Sequence, residues 1–430
     1  MSKVIVVVHL PLSGMPMCTH EKLTLSTVAE AIAGLKSWKF GGIYSTAHRY
    51  HEQLYFVPSD TLISDEALEL GISTASRIFG GVVPYPFVKT KAITHQLVRE
   101  DADRPEGWSI GFAETVHDSV LPGFTAFSAA DARLAGRRLL TLGAIRLKDP
   151  LHAGGSGQTV ITTAWALDEF LEQYPAEKIA TRGLVLETDL QRSMTLSVGQ
   201  VTIDDLMIAY HGTQRTVVNN EGQPVYGGSH IICARGGWQV LDELPMPEEV
   251  RLAVTQARSY DQAASDYFGF LASRRNYDVG QGLDSEGRWR SGVFEASWRS
   301  GGASTAELAA LTEFARDPAL QIVEVSAVKE YGTACEPPRG SVIHFHGDDP
   351  EDGPILRYTT IMPSSCALSQ GGGLHVHTRD PLGGINEKDG PGVLTGEKPN
   401  EEGEEYAHIS SAFDQRHRLG LCRIYQRPRN

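Results

Sequence analysis

The sequence predicts an α/β (α+β) protein, and three observations carry that expectation. The chain opens on a continuous β-branched run, residues 4–8, followed by a helical pattern, as a small parallel sheet would begin. Strand and helix signals then alternate to about residue 190. Between 195 and 240 strand signals follow one another with no helix between them, which predicts an antiparallel portion.

Taken in order, residues 4–8 read as a buried strand and 27–36 as a helix with Ser26 as its N-cap. Residues 43–45 and 55–57 read as strands and 65–70 as a helix. Together they make an N-terminal α/β domain over residues 1–83, its end marked by Gly80, Gly81, Pro84 and Pro86. In the next block, 84–182, Ser128 caps a helix over 129–140 with Asp131 three residues on, and a strand over 144–148 leads into a glycine-rich turn. A strand at 159–162 and a helix at 163–174 follow.

The third block, 183–370, starts with a strand at 184–187 and continues with strands at 195–202, 206–210 and 229–234. A long helical pattern covers 248–273. The polar turn Asp284-Ser285-Glu286-Gly287 joins two further strands, the second over 293–297. A helix at 305–314 and strands at 321–328, 342–346 and 356–362 complete the ordered core. Residues 371–430 form a last region: 371–405 is rich in Gly, Pro, Glu and Asp and reads as a long polar excursion, and 419–425 as a strand docking back.

Composition narrows the function classes. Against 39 basic side chains stand 53 acidic ones, a net charge of −14, with no basic stripe; affinity for nucleic acid or anionic lipid is not expected. The apolar start of about six residues falls far short of the roughly 18–20 a bilayer span needs, so neither a signal peptide nor a membrane anchor is expected. The five cysteines, Cys18, Cys233, Cys335, Cys366 and Cys422, show no C-x-x-C spacing and read as reduced thiols of a cytoplasmic protein. Only 11 of the basic residues are lysines, so a lysine beside a glycine loop is informative.

One such lysine is Lys148, which ends a strand and is followed by Gly154, Gly155, Ser156 and Gly157. Glycines let backbone N–H groups approach phosphate oxygens, and a lysine adds a point charge, so the stretch suits a polyphosphate. No Gly-Lys-Ser/Thr opens a helix, which excludes a Walker A loop. A tight hairpin with a surface lysine is the plain alternative.

Three further pieces extend the pattern: Thr90-Lys91-Ala92 upstream, the strand end Glu187-Thr188-Asp189-Leu190 downstream, and the segment Phe294-Glu295-Ala296-Ser297-Trp298-Arg299-Ser300-Gly301-Gly302 after the hairpin. In order and spacing the set resembles the ATP-grasp superfamily over about residues 84–330. The resemblance implies an N-terminal pre-ATP-grasp domain, a lid subdomain over 84–182 and a C-terminal subdomain with the metal site over 183–370. It further implies Lys91 and Lys148 as the two phosphate lysines, with Lys148 also catalytic; Gly154, Gly155, Ser156 and Gly157 as the phosphate loop; and Glu187, Asp189 and Leu190 as the adenine hinge. Asp278, Glu295 and Ser297 would hold Mg²⁺, with Mn²⁺ as a substitute. Arg299, Gly301 and Gly302 would meet the substrate, Arg299 as a catalytic group.

The sequence departs from the family pattern in places. The family has asparagine where Ser297 stands, and a hydroxyl is a weaker neutral ligand. The ribose contact falls near Met194, which accepts no hydrogen bond, leaving Asp189 or Thr195 to replace it. Asp284 competes with Asp278 as the first metal aspartate, although its D-S-E-G context favours turn formation. Ser304 with Glu307 reads as a capping box, offering a helix N-terminus to an anion.

The implied function is an ATP-dependent carboxylate–amine ligase: ATP converts a small-molecule carboxylate to an acylphosphate, which an amine attacks. A kinase or a carboxylate–thiol ligase on the same scaffold is the first alternative. A nucleotide-binding regulatory protein with a degraded site is the second, and a homodimer is an allowed assembly. The pairs His344 with His346 and His375 with His377 are secondary metal candidates.

Overall fold

The computed structural model describes residues 4–11, 17–152, 156–333 and 336–362. Gly154, Gly155, the pair His375 and His377, the whole 371–430 region and three of the cysteines (Cys335, Cys366, Cys422) lie outside these residues. The architecture is mixed α/β.

The β-branched opening forms β1 (Val4–His9), the central strand of a three-stranded parallel sheet between β2 (Lys39–Ile43) and β3 (Gln53–Pro58). Helix α1 (Thr19–Leu35) joins β1 to β2 and starts eight residues before the expected position. Its first turn is set by Cys18, extended at φ −68° and ψ 167°, whose N–H donates to Glu21 Oε2 at 3.3 Å. Cysteine is an unusual cap, and Ser26, the residue with a cap's chemistry, lies inside the helix. Short strands β4 (Leu62–Ile63) and β5 (Gly81–Val83) follow, with α2 (Ser64–Glu69) between them.

Next come α3 (Ile110–Thr115), β6 (Gly123–Ala126), α4 (Ala129–Leu139), β7 (Ile145–Lys148), β8 (Gln158–Ile161), α5 (Ala164–Gln173), α6 (Ala176–Arg182) and β9 (Leu184–Thr188). Ser128 caps α4 as expected, its hydroxyl accepting from Asp131 N–H. The four strands form an antiparallel sheet in the order β6-β9-β7-β8, so β9 pairs with the strands before it although it follows residue 182. Ala132, Leu139, Leu147, Leu167, Ile179 and Leu186 form its core.

The antiparallel portion is larger than the sequence predicted. The strands β10 (Gln191–Ile203), β11 (Leu206–Val218) and β12 (Pro224–Arg235) precede α7 (Glu248–Phe268), which ends where Gly269 turns to φ 56°. After β13 (Leu271–Ala272), which pairs with β5, come β14 (Arg274–Leu283), β15 (Trp289–Ser297), α8 (Ser304–Arg316), β16 (Ile322–Tyr331), β17 (Val342–Asp349) and β18 (Gly353–Ile361). Eight of these strands make one sheet in the order β15-β14-β10-β11-β12-β16-β18-β17.

One buried cluster joins α1, α8, the parallel sheet and this large sheet; Val6, Ile32, Tyr210, Ile231, Leu311 and Phe314 belong to it. By contacts, the described residues up to 244 and from 248 to 362 form one compact unit. Among the described residues no helix is long and apolar enough to cross a membrane.

Candidate active site

Two sheets bring the predicted lysines together. Lys91 starts a short 3₁₀ turn (Lys91–Thr94) whose N-cap Thr90 accepts from Ala92 N–H. Its Nζ lies 2.9 Å from Glu295 Oε2 and donates to the His152 carbonyl. Lys148, the last residue of β7, lies 2.5 Å from Glu187 Oε1 and sits over the Phe294 ring, 4.2 Å from its centroid. The second Glu187 oxygen is 3.0 Å from His95 Nε2.

All four of Lys91, Lys148, Glu187 and His95 are buried. Burial pushes the Lys148 ammonium below its ordinary value; Glu187 opposes that shift, while Lys91 and Arg146 add to it. For Glu187 burial acts to raise the carboxyl, but Lys148 and His95 outweigh it and hold the group low.

The glycine-rich loop is framed at both ends. Asp149 N–H donates to the Gly157 carbonyl at 3.0 Å, and the Asp149 carboxylate accepts from Tyr174 at 2.8 Å. Gly157 has φ 65°, and a Cβ there would lie 2.5 Å from the His152 ring, so this position requires glycine. Ser156 Oγ is 3.5 Å from His152 Nδ1. At the hinge, Asp189 is held by Arg146 through contacts of 2.6 and 2.8 Å, and Leu190 is buried.

The expected metal residues meet across a strand pair. Asp278 on β14 is directly opposite Glu295 on β15, and Ser297 is opposite Asn276. Side chains so paired stand about 4.5–5.5 Å apart at Cβ, close enough for two carboxylates to repel. Burial and the Glu295 charge both raise the Asp278 carboxyl above its ordinary value, against hydrogen bonds from Gln214, Asn276 and Ser197. Ser197 Oγ donates to Asp278 at 3.2 Å and Asn276 Nδ2 at 2.9 Å. This all-oxygen pair, with charges that repel until something positive lies between them, fits a hard divalent cation such as Mg²⁺.

A bulge ties the Asp278–Glu295 pair to the lysines. Register shifts after Asp278, so Val279 pairs with Val293 and Phe294 is the extra residue. Phe294 lies over Gly280, where a Cβ would come within 1.8 Å of its ring, and under Lys148.

Asp284 does not share this site. Its carboxylate accepts from Glu286 N–H at 3.0 Å and Arg288 N–H at 2.9 Å, and pairs with Arg288 at 3.0 Å and Arg290 at 2.9 Å, closing the turn.

Arg299 donates to its neighbour's carbonyl, Ser300, at 3.0 Å, and its own carbonyl accepts from Arg274. The expected capping box is absent: α8 is capped at Ala303 with no side-chain bond, and Ser304 Oγ accepts from Gly301 N–H at 2.9 Å. Glu307 is fully buried in a two-point pair with Arg274, at 2.9 and 2.8 Å. Its carboxylate ties α8 to β14, so it has no oxygen directed back at the helix start. Gly302 packs on Tyr226, a Cβ there falling 2.4 Å from the ring.

A family model described as a protein of unknown function (DUF3182) matches residues 12–359. The chain belongs to this family. No curated protein matches the chain. Among solved structures, the chain is similar to an N5-carboxyaminoimidazole synthetase from Staphylococcus aureus, at 12% identity and a TM-score of 0.45, covering 85% of this chain and 95% of that one. It is also similar to a phosphoribosylamine–glycine ligase from Thermotoga maritima, at 14% identity and a TM-score of 0.44, covering 82% and 91%. A third is the D-alanyl-alanine synthetase A from Vibrio cholerae, at 11% identity and a TM-score of 0.39, covering 74% and 100%.

Several residues around the site carry no sequence signal. His95 sits in an ordinary Thr-His-Gln stretch, and Ser197, Gln214 and Asn276 reach Asp278 only through strand register. The secondary metal candidate His344 donates to or accepts from Thr359 at 2.8 Å, and burial and Arg357 push its ring down to about 4. Cys18, His20 and Asp349 lie close enough to share an ion. Arg357, however, is 3.1 Å from His20 Nδ1, and a guanidinium only donates, so that nitrogen accepts and the hydrogen sits on Nε2, facing Asp352 at 2.8 Å. With its hydrogen there, Nε2 has no lone pair for a metal.

Proposed function

We propose that this chain is an ATP-dependent ligase that activates a substrate carboxylate as an acylphosphate for attack by an amine. The observation that carries the proposal is the meeting of the Lys91–Glu295 and Lys148–Glu187 pairs with the Asp278–Glu295 carboxylates, linked by the bulge at Phe294. Lys91 and Lys148 would neutralise phosphate charge in a buried setting, where a fixed cation acts more strongly than in water. Gly154, Gly155, Ser156 and Gly157 would add backbone N–H donors. Glu187, Asp189 and Leu190 would meet the base, with His95 and Lys148 holding the Glu187 carboxylate in place.

Asp278 and Glu295 would hold Mg²⁺, or Mn²⁺ in its place. Held there, such an ion would supply positive charge against the charge that develops on the γ-phosphoryl group. Arg299, with the N–H groups of Gly301 and Gly302, would grip the substrate carboxylate, and Arg274 holds the Arg299 backbone for that task. The reaction would begin with a carboxylate oxygen attacking the γ-phosphorus as ADP leaves, after which the amine would displace phosphate from the acyl carbon and lose a proton.

The test is ADP release over pooled small carboxylates and amines. Turnover should require both pools and divalent metal, and Glu295→Gln should abolish it. Absence of turnover in every pool, together with ATP binding that survives Glu295→Gln, would sink the ligase reading.

A further inference from the structure

The hydrogen-bond chain behind Asp278 contains one contact too many. Tyr210 Oη lies 2.6 Å from Glu307 Oε1 and 2.8 Å from Asn276 Oδ1, and a hydroxyl has a single hydrogen to give. Glu307, in its two-point pair with Arg274, is the charged and closer acceptor and takes it. The oxygens of Tyr210 and Asn276 then face each other with no hydrogen between them.

Amide oxygen and nitrogen are assigned from the network around them, and turning this amide over removes the conflict. Asn276 Nδ2 then donates to Tyr210 Oη, and Asn276 Oδ1 faces Asp278 Oδ1 at the 2.9 Å now separating nitrogen from oxygen. Two such oxygens repel unless a proton on Asp278 or a cation between them draws them together, and a cation does so without protonating the carboxylate. Adjacent ligands of an octahedral Mg²⁺, at about 2.0–2.1 Å from the ion, stand about 2.9 Å apart.

Register places this oxygen where the site lacks one. Asn276 is directly opposite Ser297 and shares the face of Asp278, two residues along β14. Gly199 makes the arrangement sterically possible. It lies between Tyr210 and Asn276 in the register, and a Cβ there would fall 2.4 Å from Tyr210 Oη. The tyrosine can therefore cross β10 to reach β14.

We propose that Asn276 supplies the amide-oxygen ligand of the divalent ion, in place of the side chain at 297 across the strand pair. The inference rests on the divalent-ion reading of Asp278 and Glu295 given above. Tyr210, held by Glu307 and Arg274, acts as the positioning residue that turns the Asn276 oxygen toward the ion.

The test is Mn²⁺ affinity of the full chain in the presence of ADP, read by the electron paramagnetic resonance of free Mn²⁺. Asn276→Ala should weaken Mn²⁺ binding tenfold or more, Ser297→Ala less than twofold, and adding Ser297→Asn to Asn276→Ala should restore most of the loss. Should Asn276→Ala fail to fold, Asn276→Asp keeps the size and an oxygen, and should bind Mn²⁺ at least as tightly as the wild type. The inference is overturned if Asn276→Ala binds within twofold of wild type, if Ser297→Ala loses as much, or if Asn276→Asp binds more weakly. Loss of Mn²⁺ in Glu295→Gln alone would overturn this inference and leave the ion site standing. Retention in Glu295→Gln would overturn both.

Discussion

Lys148 and Glu187 are each buried and each the other's main counter-charge, so removing one leaves the other exposed to the full cost of burial. Lys148→Ala is expected to weaken ATP binding by at least tenfold in calorimetry, while Lys178→Ala, on the surface of α6, leaves it unchanged. Asp284 gives a separate, structural prediction. Burial acts to raise its carboxyl, but the Arg288 and Glu286 N–H groups and the Arg290 and Arg288 side chains outweigh that and hold it well below the usual range. A folded value below the unfolded one stabilises the protein above the ordinary carboxylate range, and the benefit is lost as pH falls through that range toward the folded value. Thermal melting of Asp284→Asn should therefore show a flatter acid limb below about pH 4 than the wild type. Of the residues expected at the site, Lys148 was marked by its own surroundings, a strand end before a glycine loop, whereas Lys91, Glu187, Asp278 and Glu295 were reached through the order and spacing of the resemblance. His95, Asn276, Tyr210 and Phe294 were not, since strands far apart in the chain bring them to the site.

At the scale of elements, two glycines let aromatic side chains cross strands. Gly199 leaves room for Tyr210 and Gly280 for Phe294, and at either position a methyl group would overlap the ring. Gly199→Ala is expected to lower stability by about 1–3 kcal/mol, read from the denaturant midpoint. The strand pattern alone announced an antiparallel portion but not its extent. β14 and the bulge in β15 depend on which strand pairs with which, and pairing is a tertiary choice that periodicity leaves open. The start of α1 and the cap of α8 misled for a related reason. Ser26 and the Ser304–Glu307 spacing have cap chemistry, but the first is inside its helix and Glu307 is drawn to Arg274.

Across the whole molecule, the Arg274–Glu307 pair is the electrostatic join between α8 and the large sheet. Arg274→Met should cost about 3–5 kcal/mol in chemical denaturation because it strands the Glu307 carboxylate, and the double replacement with Glu307→Leu should cost less than Arg274→Met alone. The mixed α/β class was readable from alternation of strand and helix. The joining of the four- and eight-stranded sheets around Lys148 and Glu295 was not, because it depends on contacts between segments roughly 150 residues apart, as the contact of Lys148 with Phe294 illustrates. The central claim concerns the bond made at the γ-phosphorus, and oxygen labelling tests it most directly. With ¹⁸O-carboxylates in the pool that supports ADP release, the phosphate set free should carry one ¹⁸O from the acid for each turnover. Turnover that releases phosphate without ¹⁸O would contradict the acylphosphate route and the account built on it.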